Sequence, residues 1–188
     1  MNERIPVTEE ILTPRCRLRH PEETDIPHVW SATRVAGFND GMRWDPPERI
    51  EELQAPFERN RSAWLAGTDY NWTIEDRRTG EFLGRISIRR EKGEEEWSIG
   101  FWVHPNHQGN GYAKEAAAAM VKFGFERLAA DRITAAHATW NKASANVLVG
   151  IGMAFVRVNP QGFMKRGGWV EDHEYEIQRQ RGAAGVSR

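Results

Sequence analysis

Apolar and polar residues change their spacing several times along the chain, and each change marks an element. Positions 15–19 alternate basic and apolar side chains (Arg15, Cys16, Arg17, Leu18, Arg19), the pattern of a half-buried edge strand. Thr24 and Asp25 offer a helix start, with Pro27 tolerated in its first turn. The stretch 44–47 breaks the chain. From Glu48 a second helix is expected, with Ile50, Leu53, Phe57 and Trp64 as its apolar positions. Strands are expected at 70–74, 82–90 and 97–103. The first two alternate, and the third is nearly all apolar, as a buried central strand should be. Lys92, Gly93 and Glu94 are expected to close a hairpin between the last two.

The clearest helix is expected over 112–128, where Ala113, Ala116, Ala117, Met120, Val121, Gly124 and Leu128 follow a 3.6-residue repeat. A strand at 132–140 and a short helix at 144–151 follow, and Gly152 is placed to end that helix in a left-handed conformation. Strands at 154–158 and 174–177 complete the pattern. The order is that of one mixed α/β domain spanning 1–181, and the small, polar stretch 182–188 reads as a disordered tail.

Composition narrows the classes. The chain has 188 residues, 39% apolar and 28% charged, with a formal net charge of −1. That balance fits a folded soluble protein and argues against direct, generic nucleic-acid binding, though not against docking through a local basic patch. A single cysteine, Cys16, rules out an internal disulfide and suits the cytoplasm. Residues 1–12 lack the order of a signal peptide, and no apolar run is long enough to span a bilayer. His104 and His107 flank Pro105 without any further ligand pattern, so no metal is expected. Cys16, without a partner motif, reads as an inert buried thiol. Trp72, Trp97, Trp102 and Trp140 fall in expected strands and read as core.

The segment Gln108-Gly109-Asn110-Gly111-Tyr112-Ala113 joins the buried strand to the long helix. A helix start carries unpaired N–H groups and the positive end of the dipole, which together attract an anion. Gly109 and Gly111 lack Cβ and let backbone approach a phosphate. Alone, the segment reads more readily as a tight turn.

The wider pattern resembles the GNAT superfamily of acyl-CoA N-acyltransferases. Gln108, Gly111 and Ala113 match its Gln/Arg-x-x-Gly-x-Gly/Ala loop. Asn141-Lys142-Ala143-Ser144, Val147-Leu148 and Gly152-Met153 resemble the Asn-x-x-Ser…Leu…Gly-Phe pattern of the RimJ/RimL-like branch, with Met153 in place of Phe. That branch includes ribosomal-protein N-terminal acetyltransferases. Residues 13–19 and 99–103 resemble it too, so the likeness runs from about 13 to 177.

The resemblance implies a GNAT fold: a central mixed, mostly antiparallel sheet of about seven strands flanked by helices, with a splayed parallel pair that binds CoA. It implies acetyl transfer from acetyl-CoA to a primary amine, either a protein N-terminus or a small amine, by direct attack. Succinyl or other acyl donors, a non-catalytic CoA-binding module, and a nucleotide-binding protein using the same loop are the rival readings. A homodimer is compatible with the resemblance, and no membrane partner is implied. The loop residues Gln108, Gly109, Asn110, Gly111, Tyr112 and Ala113 would hold the pyrophosphate. Backbone near Trp102 and Val103 would hold the pantetheine arm and the thioester oxygen. Asn141, also a natural helix N-cap, would bond the arm, and Ser144, one turn on, would also face the donor and protonate the departing thiolate. Relatives carry a Glu where this chain has Ser98, so Glu96, two residues earlier and on the same strand face, is the candidate base, or else part of a solvated acidic turn. Trp44 and Trp64 lie in the region where relatives build the acceptor pocket and are the candidate aromatic walls for the amine. A lysine amine is neutral about once in 2,500 molecules at pH 7, an α-amine about once in 6–11, so an α-amine needs less help from a base.

Overall fold

The computed structural model describes residues 4–91, 93 and 95–180. Lys92 and Glu94 of the expected hairpin and the expected tail 182–188 lie outside them. Four helices, α1 (Ile26–Thr33), α2 (Gln54–Ala66), α3 (Tyr112–Arg127) and α4 (Lys142–Gly150), pack on one eight-stranded sheet. The strands are β1 (Ile11–Leu12), β2 (Cys16–Arg19), β3 (Asp69–Asp76), β4 (Phe82–Arg90), β5 (Glu96–Val103), β6 (Arg132–Ala138), β7 (Ala154–Lys165) and β8 (Gly168–Gln178), in the order β1-β2-β3-β4-β5-β6-β8-β7. Among the described residues only β5 and β6 pair in parallel; the other neighbours are antiparallel. The fold is the expected α/β one, with eight strands rather than about seven. No described helix is long and apolar enough to cross a membrane.

The differences have local causes. β1 is two residues long, too short for any alternation to register. It also makes β2 an interior strand, so Cys16 does not lie at the edge. Its thiol is fully buried and pushed up to about 11, chiefly by burial, which leaves it inert. β7 and β8 are much longer than 154–158 and 174–177. They meet at Arg166 and Gly167, whose φ angles of 48° and 80° give the doubly left-handed turn that suits a two-residue hairpin. β6 stops at Ala138, so Trp140 stands in a turn, 56% exposed, and not in the core.

Along β5 the side chains alternate. Trp97 and Ile99, with Phe101 packed beside them, join the core under α3, where Ala116, Ala117 and Met120 are fully buried. Trp102 faces the other way and packs with Phe82 and with α1 and α2 through Val29 and Phe57. α1 is tied to this second face by a buried cluster. Arg19 donates to Asp25 Oδ1 (2.6 Å) and Glu75 Oε1 (2.5 Å), and Thr73 Oγ1 donates to Asp25 Oδ2 (2.6 Å). β4 comes very close to β5 at Gly84, where a Cβ would lie 2.2 Å from the Trp102 carbonyl oxygen. Backbone cannot yield as a flexible side chain can. Gly84→Val should therefore cost about 1–3 kcal/mol, read as a lower midpoint in urea denaturation; an unchanged midpoint would mean the strands part freely.

Candidate active site

β5 and β6 are paired only where Glu96, Trp97 and Ser98 meet Arg132, Ile133 and Thr134; beyond that the two strands separate. The His104 N–H donates to the Leu83 carbonyl (2.8 Å), which fixes the phase of the antiparallel β4–β5 ladder. Arg85 and Trp102 then exchange backbone bonds, while the N–H and C=O groups of Phe101 and Val103 turn away from β4, into the gap. The backbone groups facing the gap are thus those of Phe101 and Val103, while those of Trp102 are paired with β4. The Val103 carbonyl accepts from Gln108 Nε2 (3.1 Å), which leaves the Val103 N–H facing the gap.

At one end of the gap lies the glycine loop. Gly109 and Gly111 have φ of 79° and 80°, a conformation that costs other residues strain, and nothing stands within 4 Å of a Cβ on Gly109. Gly111 caps α3 without any side-chain bond, so the first-turn N–H groups of the helix stay open to a ligand. Gln108, Gly109, Gly111, Tyr112 and Ala113 line the cleft. Asn110 does not: its Nδ2 donates to the carbonyls of His107 and Gln108 and braces the loop.

Arg15 was not singled out from sequence and now stands at this loop. It donates to the Asn110 carbonyl (2.9 Å) and Glu115 Oε2 (2.7 Å), and sits 4.9 Å over the Tyr112 ring. Burial alone would raise the Glu115 carboxyl, but bonds from Thr13 and Arg15 outweigh it and hold that group below the usual carboxylate range. The strand pattern at 15–19 shows Arg15 as alternating surface, with nothing to say that β2 begins beside α3.

At the far side of the gap, Asn141 caps α4 by accepting from the Ser144 N–H (3.1 Å). The cap is real, and its Nδ2 remains a donor on the cleft wall. Ser144 is half-buried, lines the cleft, and its hydroxyl has no hydrogen bond among the described residues. Glu96 also lines the cleft, but it is ion-paired with Arg132 (3.0 Å), which also reaches Glu176 (3.2 Å). Ser98, on the same face, donates to Glu91 Oε1 (2.5 Å).

The cleft, about 2250 Å³, continues past the gap to the loop before α2. Trp44 lies on its wall, edge-on to Phe38 (6.4 Å), which in turn meets Trp102 (5.3 Å). Trp64 does not reach it. Its ring is 1% exposed among Tyr70 and Trp72, and its Nε1 donates to the Ile5 carbonyl (2.9 Å). α2 turns that position inward, so Trp64 is a core residue, and of the two tryptophans only Trp44 borders the cleft. His104 Nδ1 accepts from the Asn106 N–H (3.2 Å) and its Nε2 contacts Ser31 Oγ (3.1 Å), so this ring braces the turn.

A family model described as acetyltransferase (GNAT) domain matches residues 15–154. The chain therefore belongs to the GNAT family of acyl-CoA-dependent acetyltransferases. Its relatives include YkkB of Bacillus subtilis, an uncharacterized protein 41% identical over 78% of this chain and 86% of that one. The fold is shared with the Salmonella typhimurium acetyl transferase that modifies the N-terminal serine of ribosomal protein L7/L12 (TM-score 0.80, 19% identity, 91% of this chain and 99% of that one). It is shared also with Mycobacterium smegmatis RimJ in complex with CoA-disulfide (TM-score 0.75, 22% identity, 87% and 81%).

Proposed function

We propose that this protein moves an acetyl group from acetyl-CoA to the nitrogen of a primary amine by direct attack. The observation that carries this is the unzipped β5–β6 gap, which joins an uncapped helix start at one end to Ser144 and an acceptor-sized cleft at the other. The open N–H groups of α3, with Arg15 beside them, receive the pyrophosphate of the donor. Backbone groups of Phe101 and Val103 pair with the amide-bearing arm as a neighbouring strand would, with Asn141 Nδ2 donating to it from α4. The Val103 N–H polarises the thioester carbonyl as charge grows on its oxygen. The amine nitrogen forms its bond to the carbonyl carbon, the carbon–sulfur bond breaks, and Ser144 Oγ gives its proton to the departing sulfur.

The nitrogen must shed a proton before or during attack. Glu96, paired with Arg132 on the cleft face of β5, takes that proton through water. Trp44 offers its ring to the body of the acceptor. An α-amine, neutral far more often than a lysine at pH 7, suits this modest basic equipment, and several of the structural neighbours carry names of ribosomal-protein N-terminal acetyltransferases.

The test is CoA release from acetyl-CoA with a panel of peptide N-termini and small amines, run in parallel with succinyl-CoA. Amine-dependent release is the expected result. Acetyl-CoA binding without turnover of any amine would overturn the proposal in favour of a binding module, and tighter binding of ATP or NAD than of CoA would remove the donor site.

A further inference from the structure

The floor of the cleft under α1 and α2 is not apolar. It is laid by the outward faces of three paired strands: Asp69 and Asn71 of β3, Arg85, Ser87 and Arg89 of β4, and Ser98 and Gly100 of β5. Arg85 stands out among them. Its residue is only 9% exposed, it lines the cleft, and its guanidinium lies 4.7 Å over the Phe57 ring. Its Nε and Nη2 are buried, with no hydrogen-bond partner among the described residues.

Those two nitrogens are the two donors of one edge of the guanidinium. They point the same way and match the two oxygens of a carboxylate or a phosphoryl group. Leaving that edge bare in a buried position is costly, and the nearest acids do not fill it. Asp25 is held by Arg19 and Thr73, and Asp69 accepts from Asn71 Nδ2 (2.9 Å). Burial without a paired anion draws Arg85 down to about 10, still charged at neutral pH.

We infer that the acceptor amine carries an oxyanion, a carboxylate or a phosphoryl group, and that Arg85 turns its Nε–Nη2 edge to the cleft, in the plane stacked on Phe57, to grip it on the cleft floor. The inference rests on the acetyl-transfer reading and names the class of acceptor that reading leaves open. Phe57 holds the guanidinium plane in place from the α2 side. Across the cleft, Glu96 of β5 and Glu174 and Glu176 of β8 line the wall, each paired with Arg132 or Arg157.

The experiment uses matched amines that differ only in the anion: β-alanine against β-alaninamide, O-phosphoethanolamine against ethanolamine, and the amidated peptides Ser-Asp-Ala and Ser-Asn-Ala. Each is titrated calorimetrically into the CoA-loaded protein and assayed for CoA release. At least one anionic member should bind about tenfold or more tighter than its neutral partner, as a charge-assisted bond to a buried group requires, and the pair that shows it identifies the anion. Arg85→Gln should erase the difference while leaving the affinity for CoA and for the neutral amines unchanged. Arg85→Lys, which keeps the charge but not the two-pronged edge, should retain only part of it. Equal binding within all three pairs by the wild-type protein overturns the inference without any variant, as does a preference that survives in a folded Arg85→Gln protein. Binding decides this point even where no amine is acetylated, an outcome that would count against the acetyl-transfer reading alone.

Discussion

Gly111→Glu is expected to abolish CoA binding, at least a thousandfold by calorimetry, in a protein that still folds. Position 111 has φ of 80° and caps α3 with its backbone alone. A Cβ there would sit 3.4 Å from Arg15 Nη2, so the new carboxylate would settle on Arg15 and over the open N–H groups. A negative charge would then occupy the place meant for the pyrophosphate, and the remaining one would be repelled. The left-handed backbone costs a side chain only about 1–2 kcal/mol, too little to unfold a domain of this size. Gly111→Asn separates the two effects, since asparagine tolerates that conformation without adding charge. It should weaken binding far less. A folded Gly111→Glu protein with wild-type CoA affinity would show that the loop is only a turn.

Ser144→Ala should lower kcat about a hundredfold, within the usual range for a lost general acid, and change the acetyl-CoA dissociation constant less than about twofold. The substitution keeps the cap, because Asn141 accepts from the backbone N–H of residue 144 and not from its hydroxyl. Alanine also suits the first turn of α4. What is lost is the proton for the sulfur. Donors built on a more acidic thiol leave without that proton, so their turnover should fall much less in the variant, a pattern that a merely structural serine would not produce. Unchanged turnover with acetyl-CoA removes Ser144 from the chemistry.

Local signals made most of the architecture readable. The 3.6-residue repeat from Ala113 to Leu128 and the apolar run at 97–103 report one-sided and two-sided burial, and both elements appear within a residue of where the pattern puts them. The Asn141–Ser144 cap is also a short-range event. The glycine loop was legible because a left-handed turn and a helix start leave marks within six residues.

The rest depends on what lies across the sheet. Trp44 and Trp64 look alike as sequence, yet one borders the cleft and the other is sealed beneath Ile5 and Trp72, a distinction set by the roll of α2. Arg15 and Glu115 are a hundred residues apart and meet only because β2 begins beside α3. Arg85 sits in an alternating strand like any surface arginine; only α1 and α2 closing over β4 turn it into a buried cation. Which of two neighbours, Phe101 or Trp102, turns its backbone to the gap follows from the phase of the β4–β5 ladder, which periodicity of side chains does not encode.

The parting of β5 from β6 also ties durability to supply. A sheet that stops pairing after three residues leaves its middle unfinished, and in the acetyl-transfer reading the pantetheine arm completes it. Ligand that binds only the folded chain adds about 2.7 kcal/mol of stability at a hundred times its dissociation constant. The lifetime of this protein against heat and proteases would then rise and fall with the acyl-CoA pool around it, so that abundance as well as rate would follow the metabolic state of the cell.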